Sequence, residues 1–60
     1  MNGHYAVAWR EGDMWVINVY GVGVTQAQTR DDVPRMAADL IDAFGYEPDD
    51  VTVHYVATAR

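Results

Sequence analysis

The side chains with the most evident chemical potential in this chain are carboxylates. Six aspartates lie in its second half: Asp31, Asp32, Asp39, Asp42, Asp49 and Asp50. Two carboxylates can act as general acid and general base when a cleft desolvates them and moves their pKa values apart. The spacing of Asp39 and Asp42 places both on the polar side of a predicted helix, where carboxylates are normally solvated. We interpret them as a solvated acidic surface, with contact to a partner as the alternative, and expect no catalysis.

The other reactive residue types are sparse. His4 and His54 approach each other if the first and last strands are neighbours, but two histidines without cysteine form an incomplete zinc site. The chain contains neither Cys nor Ser. The usual nucleophiles are therefore missing, and no His/Asp arrangement is present to activate a threonine. We predict no enzymatic activity, no metal and no cofactor, and we interpret the histidines as surface or interface residues.

Two further patterns favour structural roles over ligand binding. Gly21-Val22-Gly23 lacks the third glycine and the following parallel unit of a dinucleotide-binding loop, so we interpret it as a bulge or a tight corner. Four aromatic residues have the π-faces that stack on bases: Tyr5, Trp9, Trp15 and Tyr20. No positive cluster accompanies them, because the chain has four Arg, no Lys and a net charge of −5. This balance argues against nucleic acid and favours a basic partner.

The length of the chain predicts one small domain. Sixty residues bury only roughly 60% of the surface that the unfolded chain exposes. Such a core rarely contributes more than about 3–5 kcal/mol, and no disulfide can supplement it. We therefore expect residues 1–60 to form a single domain that assembles as a homo-oligomer or an obligate complex.

No apolar run approaches the ~18 residues of a membrane span, and no signal-peptide pattern opens the sequence, so we expect a cytoplasmic protein.

Alternating apolar residues predict a hairpin at the start of the chain. Residues 4–10 and 14–20 follow the period of β-strands, with a turn at Glu11-Gly12-Asp13. A three-residue loop aligns Trp9 with Trp15 and unites the most apolar side chains on one face, so we prefer it to a two-residue loop. The face predicted to contact the helix then contains Tyr5, Val7, Trp9, Trp15, Ile17 and Val19.

A short third strand over residues 22–27 precedes a single predicted helix. Pro34 favours a helix start near Asp31, because the first turn tolerates a residue without an N–H. Gly45 is the expected residue just beyond the helix, and residues 51–56 predict a final strand. Six apolar residues recur at helical spacing and form one stripe that faces the core: Val33, Met36, Ala37, Leu40, Ile41 and Phe44.

One helix covers only one face of a four-stranded sheet. On the other face we place His4, Ala6, Ala8, Met14, Val16, Asn18 and Tyr20, a set too apolar for a comfortable solvated surface. We infer that this face, or an edge strand, contacts another chain. The predicted partner or oligomer interface consists of Met14, Val16, Asn18, Tyr20 and His54 on the sheet and of Asp39 and Asp42 on the helix.

The order of these elements resembles the HicB family of antitoxins. The similarity extends over nearly the whole chain: a strand beginning at Tyr5, a partner strand containing Trp15-Val16, the segment Gly21-Val22-Gly23-Val24-Thr25-Gln26, and a helix. The commoner members carry prolines where this chain has Tyr20-Gly21-Val22, and Pro34 within the helix start is a second difference. The short forms common in actinobacteria have a corner more like this one.

The resemblance implies an α+β fold of the partial RNase H-like type. The expected order is β-β-β-α-β, with a small mixed sheet in the order 3-2-1-4 and one helix packed on one face. It implies no nuclease activity, because the family lacks the acidic metal-binding set of true ribonucleases. It also implies an antitoxin that forms dimers or tetramers and neutralises HicA, a small basic ribonuclease. Longer relatives add a C-terminal DNA-binding domain; we expect none in this chain, and no direct binding to nucleic acid.

Two alternatives belong to other classes of function. One is an orphan homo-oligomeric structural or regulatory protein without a toxin partner, encoded by a phage or a mobile element. The other is a small-ligand-binding oligomer with an aromatic pocket. A neighbouring reading frame for a short Lys/Arg-rich protein would favour the antitoxin, whereas a stable homo-oligomer without one would favour the orphan. A tryptophan fluorescence change on ligand addition would favour the third hypothesis.

Overall fold

The sheet of this protein has the predicted order, β3-β2-β1-β4. A computed structural model describes residues 3–47 and 50–57, so Asp49 lies outside the described residues. β1 pairs antiparallel with β2 and parallel with β4, and β2 pairs antiparallel with β3. One helix packs against this mixed sheet, which confirms the α+β class. The elements are β1 (Gly3–Glu11), β2 (Met14–Val19), β3 (Gly23–Ala27), a 3₁₀ turn (Arg30–Asp32), α1 (Val33–Ala43) and β4 (Asp50–Val56).

The β1–β2 hairpin closes through a two-residue loop, so the predicted three-residue loop is wrong. Glu11 pairs with Met14, and Gly12 and Asp13 form the turn between them. Gly12 has a φ of 61°, whereas Asp13 has a negative φ. This sign pattern is that of a type II′ turn, whose twist matches the twist of the flanking strands. A register that differs by one residue moves every β1 side chain to the opposite face.

The predicted face assignment of β1 is therefore wrong. Ala6 pairs with Val19 and Ala8 pairs with Ile17, and all four are buried between the sheet and the helix. His4 also belongs to the helix side, because its partner in β4 is Val51. The remaining β1 residues, Tyr5, Val7 and Trp9, face away from the helix. Small alanine side chains beneath a helix let the helix backbone approach the sheet closely, which is a packing requirement that hydrophobicity alone does not reveal.

The helix covers the sheet with the predicted stripe. Val33, Ala37 and Ile41 are fully buried, whereas Phe44 at the end of the stripe is 59% exposed. Pro34 lies in the first turn of α1, as expected. α1 thus contributes one row of buried side chains, spaced about one helical turn apart, to the core. Half of the residues that are buried in the described part of the chain are alanines. The eight buried residues are Ala6, Ala8, Ile17, Val19, Ala27, Val33, Ala37 and Ile41.

The end of α1 has the geometry that its sequence predicts. Gly45 has a φ of 87°, in the left-handed region that favours glycine. Its N–H donates to the carbonyl of Asp42 at 3.0 Å, and the N–H of Tyr46 donates to the carbonyl of Ile41 at 3.1 Å. This pair of hydrogen bonds is a Schellman motif, which satisfies carbonyl groups that the last helical turn leaves unpaired.

Candidate functional site

A continuous apolar surface lies on the side of the sheet that faces away from α1. We call it the open face. Its members follow from the strand register, because residues paired across neighbouring strands point to the same side of a sheet. They are Gly3, Tyr5, Val7, Trp9, Glu11, Met14, Val16, Asn18, Tyr20, Val24, Gln26, Asp50, Thr52, His54 and Val56.

The open face combines half-buried side chains at its centre with strongly exposed ones at its margins. Tyr20 is 54% exposed and Val24 is 63% exposed. The rings of Tyr5 and Tyr20 lie 5.3 Å apart at their centroids, and the N–H of Tyr20 donates to the carbonyl of Tyr5 at 3.0 Å. Val16 lies half-buried between these margins. A contiguous apolar surface of this kind marks an interaction site more often than a solvated one.

The carboxylates of the open face lie only at strand ends. Within the described residues they are Glu11, at the turn end of β1, and Asp50, the first residue of β4, and His54 is the one basic member. The indole N–H of Trp9 donates to a carboxylate oxygen of Glu11 at 3.3 Å. Asn18 contributes a polar group near the middle, where its register partners are Val7 and Val24. A partner for this face must therefore be recognised by shape and apolar contact.

The structure brings together the five sheet residues of the predicted interface. Met14, Val16 and Asn18 alternate along β2 on the open face, and His54 reaches the same face from β4. Tyr20 follows the end of β2 and contacts Tyr5 on this face. The prediction missed the three large side chains of β1 and also Val24. A Gly-Asp pair between two alternating runs is a signal for a two-residue hairpin loop, and that loop would have placed Tyr5, Val7 and Trp9 correctly.

The two helix residues of the predicted interface lie on the other side of the molecule. Asp39 and Asp42 are exposed on α1, and with Asp31 and Asp32 they form what we call the acidic helix surface. The guanidinium of Arg35 lies 3.6 Å from a carboxylate oxygen of Asp32 and 3.6 Å from one of Asp39. One arginine thus offsets part of the charge of four carboxylates, so the surface remains acidic.

The structure does not bring the two histidines together. His4 points to the helix side of the sheet, where its ring centroid lies 6.1 Å from that of Tyr46. His54 belongs to the open face through its pairing with Val7. In the part of the chain that the structure describes, no group of three or more His, Asp or Glu side chains is arranged to hold a metal ion.

The aromatic residues are divided between the two sides of the sheet. On the helix side, the rings of Trp15 and Tyr55 meet edge to face at 5.9 Å, and the guanidinium of Arg30 lies 4.1 Å from the centroid of the Tyr55 ring. Trp9 and Tyr5 lie on the open face. The aromatic side chains therefore do not converge on one pocket, and those of the open face form part of a broad surface.

Comparisons of the chain with protein-family models, with curated proteins and with solved structures find no match. The HicB similarity therefore remains a resemblance, carried by the residues named above. Among the described residues, α1 is too short and too polar to cross a bilayer. The fold separates two surfaces that can contact a partner: the apolar open face and the acidic helix surface.

Proposed function

We propose that this chain is a non-enzymatic, cytoplasmic binding protein of the HicB antitoxin type, which binds and neutralises a small basic ribonuclease of the HicA type. The observation that carries the proposal is the presence of the acidic helix surface on a fold with the strand order that the resemblance implies. The net charge of −5 and the absence of lysine support a basic partner. Opposite charge steers such a partner to the surface and accelerates the encounter.

The acidic helix surface is the proposed contact for the ribonuclease. Asp39 and Asp42 are exposed and lie almost one helical turn apart. Arg35 makes only solvent-exposed ion pairs with Asp32 and Asp39, and such pairs contribute about 0–1 kcal/mol. An arginine or lysine of the partner can therefore replace Arg35 at small cost. Carboxylates on this surface can then pair with the basic groups with which a ribonuclease binds RNA.

The proposal is tested by mixing the purified chain with a HicA-type ribonuclease, or by co-expressing it with the product of the adjacent gene. We expect a stable complex, loss of RNA cleavage, and an affinity that falls as salt screens the attraction over about 10 Å at 0.1 M. A basic ribonuclease that remains unbound and active at low salt would contradict the proposal.

Variants locate the contact. The double variant Asp39→Asn/Asp42→Asn should weaken binding roughly three- to tenfold, because loss of charges at the edge of an interface mainly slows association. Asp13→Asn/Glu47→Gln is the matched control, since it removes the same number of charges from exposed positions elsewhere. Equal losses in the two double variants would show that net charge alone, and not this surface, drives binding.

A homo-oligomeric structural or regulatory protein without a toxin partner is the second candidate, and the open face favours it. This mainly apolar surface, with carboxylates only at its strand ends, offers little to a basic ribonuclease but suits packing against another apolar surface. A chain that assembles with itself, binds no basic protein and inhibits no ribonuclease would support this candidate over the first.

A further inference from the structure

We infer that the open face packs against the open face of a second copy of this chain. The product is a two-sheet sandwich with both helices on the outside, as in proteins whose sheets stack face to face. This assembly does not depend on the proposed neutralisation of a ribonuclease. It also leaves the acidic helix surface accessible, because that surface lies on the opposite side of each sheet.

The distribution of side-chain size is the first support. On β1, the residues covered by the helix are Ala6 and Ala8, whereas the uncovered ones are Tyr5, Val7 and Trp9. The strand therefore turns its larger apolar side chains away from the core of its own protomer. Burial of apolar area drives association as it drives folding, so a second layer on this side would bury the larger share of the apolar surface of β1.

Charge identifies a second copy as a suitable occupant. Two copies carry −5 each, yet within the described residues the open face has only two carboxylates, Glu11 and Asp50, and both lie at strand ends. Stacked sheets lie about 10 Å apart, and each helix lies beyond its own sheet. The acidic helix surfaces are then separated by more than the Debye length of about 8–10 Å at 0.1–0.15 M salt, so their repulsion is largely screened.

The area of the open face fits a reversible dimer. The four strands contain nine, six, five and seven residues. With about 4.8 Å between strands and about 3.3 Å per residue, they present roughly 430 Å² of projected area per protomer. Side chains stand above this plane, so the area buried by two copies exceeds roughly 850 Å², which is above most crystal contacts and within the range of weak, transient interfaces below about 1,200 Å². We expect a weak dimer that forms in proportion to concentration.

Sedimentation velocity over a concentration series tests the inference. The wild type should convert from monomer to dimer below about 1 mM, and raising NaCl from about 0.05 to 0.5 M should leave the dimer equally tight or tighter, because salt screens like charges. Binding to a basic ribonuclease should show the opposite salt dependence, so the two assemblies are distinguishable. A wild type that stays monomeric throughout, or a dimer that salt dissociates, would overturn the inference.

Matched variants locate the dimer contact. Val24→Asp and Val24→Lys each place a charge on the open face at a 63% exposed position, and both should raise the dimer Kd by roughly tenfold or more, because the charge would be buried without a partner. Phe44→Asp and Phe44→Lys make the same changes at a 59% exposed position on the helix side, and they should leave the Kd within about threefold. Gln26→Arg adds a charge to the open face without removing an apolar group, and it should weaken the dimer as well.

Circular dichroism confirms that each variant is folded before its Kd is compared. If the Val24 and Gln26 variants dimerise like the wild type, the copies associate elsewhere, for example along the outer edge of β4. Equal weakening by the Phe44 and Val24 variants would likewise overturn the inference, because no selective role would be left for the open face.

Discussion

Replacement of neighbouring residues on α1 provides the sharpest test of how the helix lies on the sheet. Ile41 is fully buried, whereas Leu40, the next residue along the chain, is only partly buried against the core. Substitution of either by alanine removes the same three carbon atoms. The two substitutions also change helix propensity by similar small amounts. Their difference in the free energy of unfolding therefore reports which of the two side chains faces the sheet.

The expected magnitude follows from burial. Three carbon atoms correspond to about 2.4 kcal/mol of transfer free energy when they are fully buried, and an enclosed cavity raises the cost to about 2–5 kcal/mol. Ile41→Ala should therefore cost about 3–4 kcal/mol. Leu40 lies at the margin, near Gly23 of β3, where water can fill the space. Leu40→Ala should cost about 1–2 kcal/mol, because its three carbon atoms are only partly removed from water and contribute only part of their transfer free energy.

Urea unfolding followed by far-UV circular dichroism measures both values, at one low protein concentration so that association does not contribute. A domain of this size has only about 3–5 kcal/mol of core stabilisation, so Ile41→Ala is expected to lie near its unfolding midpoint. Ile41→Val extends the measurement, since it should cost about 0.5–1.5 kcal/mol and lower the Tm by about 4–8 °C per kcal/mol. An equal or larger loss for Leu40→Ala would refute this orientation of the helix.

Four further substitutions test the hairpin, the two faces of β1 and the helix surface. Gly12→Ala forces a left-handed backbone on alanine at φ 61° and should cost about 1–2 kcal/mol in urea unfolding; no loss would contradict the two-residue turn. Ala8→Leu should overpack the space beneath the helix and cost about 1–3 kcal/mol, whereas Val7→Leu on the open face should change stability by less than about 0.5 kcal/mol. Arg35→Ala should cost less than about 1 kcal/mol, and the loss should vanish at high salt; a larger or salt-independent cost would show that its ion pairs are not merely superficial.

The helix could be predicted from the sequence because its signals are local. Val33, Ala37 and Ile41 recur at helical spacing, and all three are buried as expected. The ends follow from backbone chemistry: Pro34 suits a first turn that needs no N–H, and Gly45 adopts the left-handed conformation that ends the helix. These features depend on neighbouring residues alone, so no knowledge of the sheet was needed to locate them.

The covered face of β1 could not be predicted from hydrophobicity, because both sides of that strand are apolar. The choice between Ala8 and Trp9 depends on how closely α1 approaches the sheet, which is a tertiary property. The Gly12-Asp13 pair did contain the answer, since a two-residue loop sets the register and with it the face of every β1 residue. β2 was assigned correctly, and its outward residues therefore lie on the open face, whereas Asp39 of the same predicted interface lies on the opposite side of the sheet.

Coverage of the open face by protein in the assembled state can be read from the solvent accessibility of Trp9. Trp15→Phe leaves Trp9 as the single tryptophan, located on the open face. Acrylamide quenching of this variant should weaken by roughly half or more as the protein is concentrated from about 1 µM to 1 mM, because the indole becomes buried in the interface. The companion variant Trp9→Phe retains only Trp15, on the side of the sheet that faces α1, and its quenching should not change with concentration. Quenching of Trp9 that stays constant over this concentration range would contradict packing of the open face against a second copy.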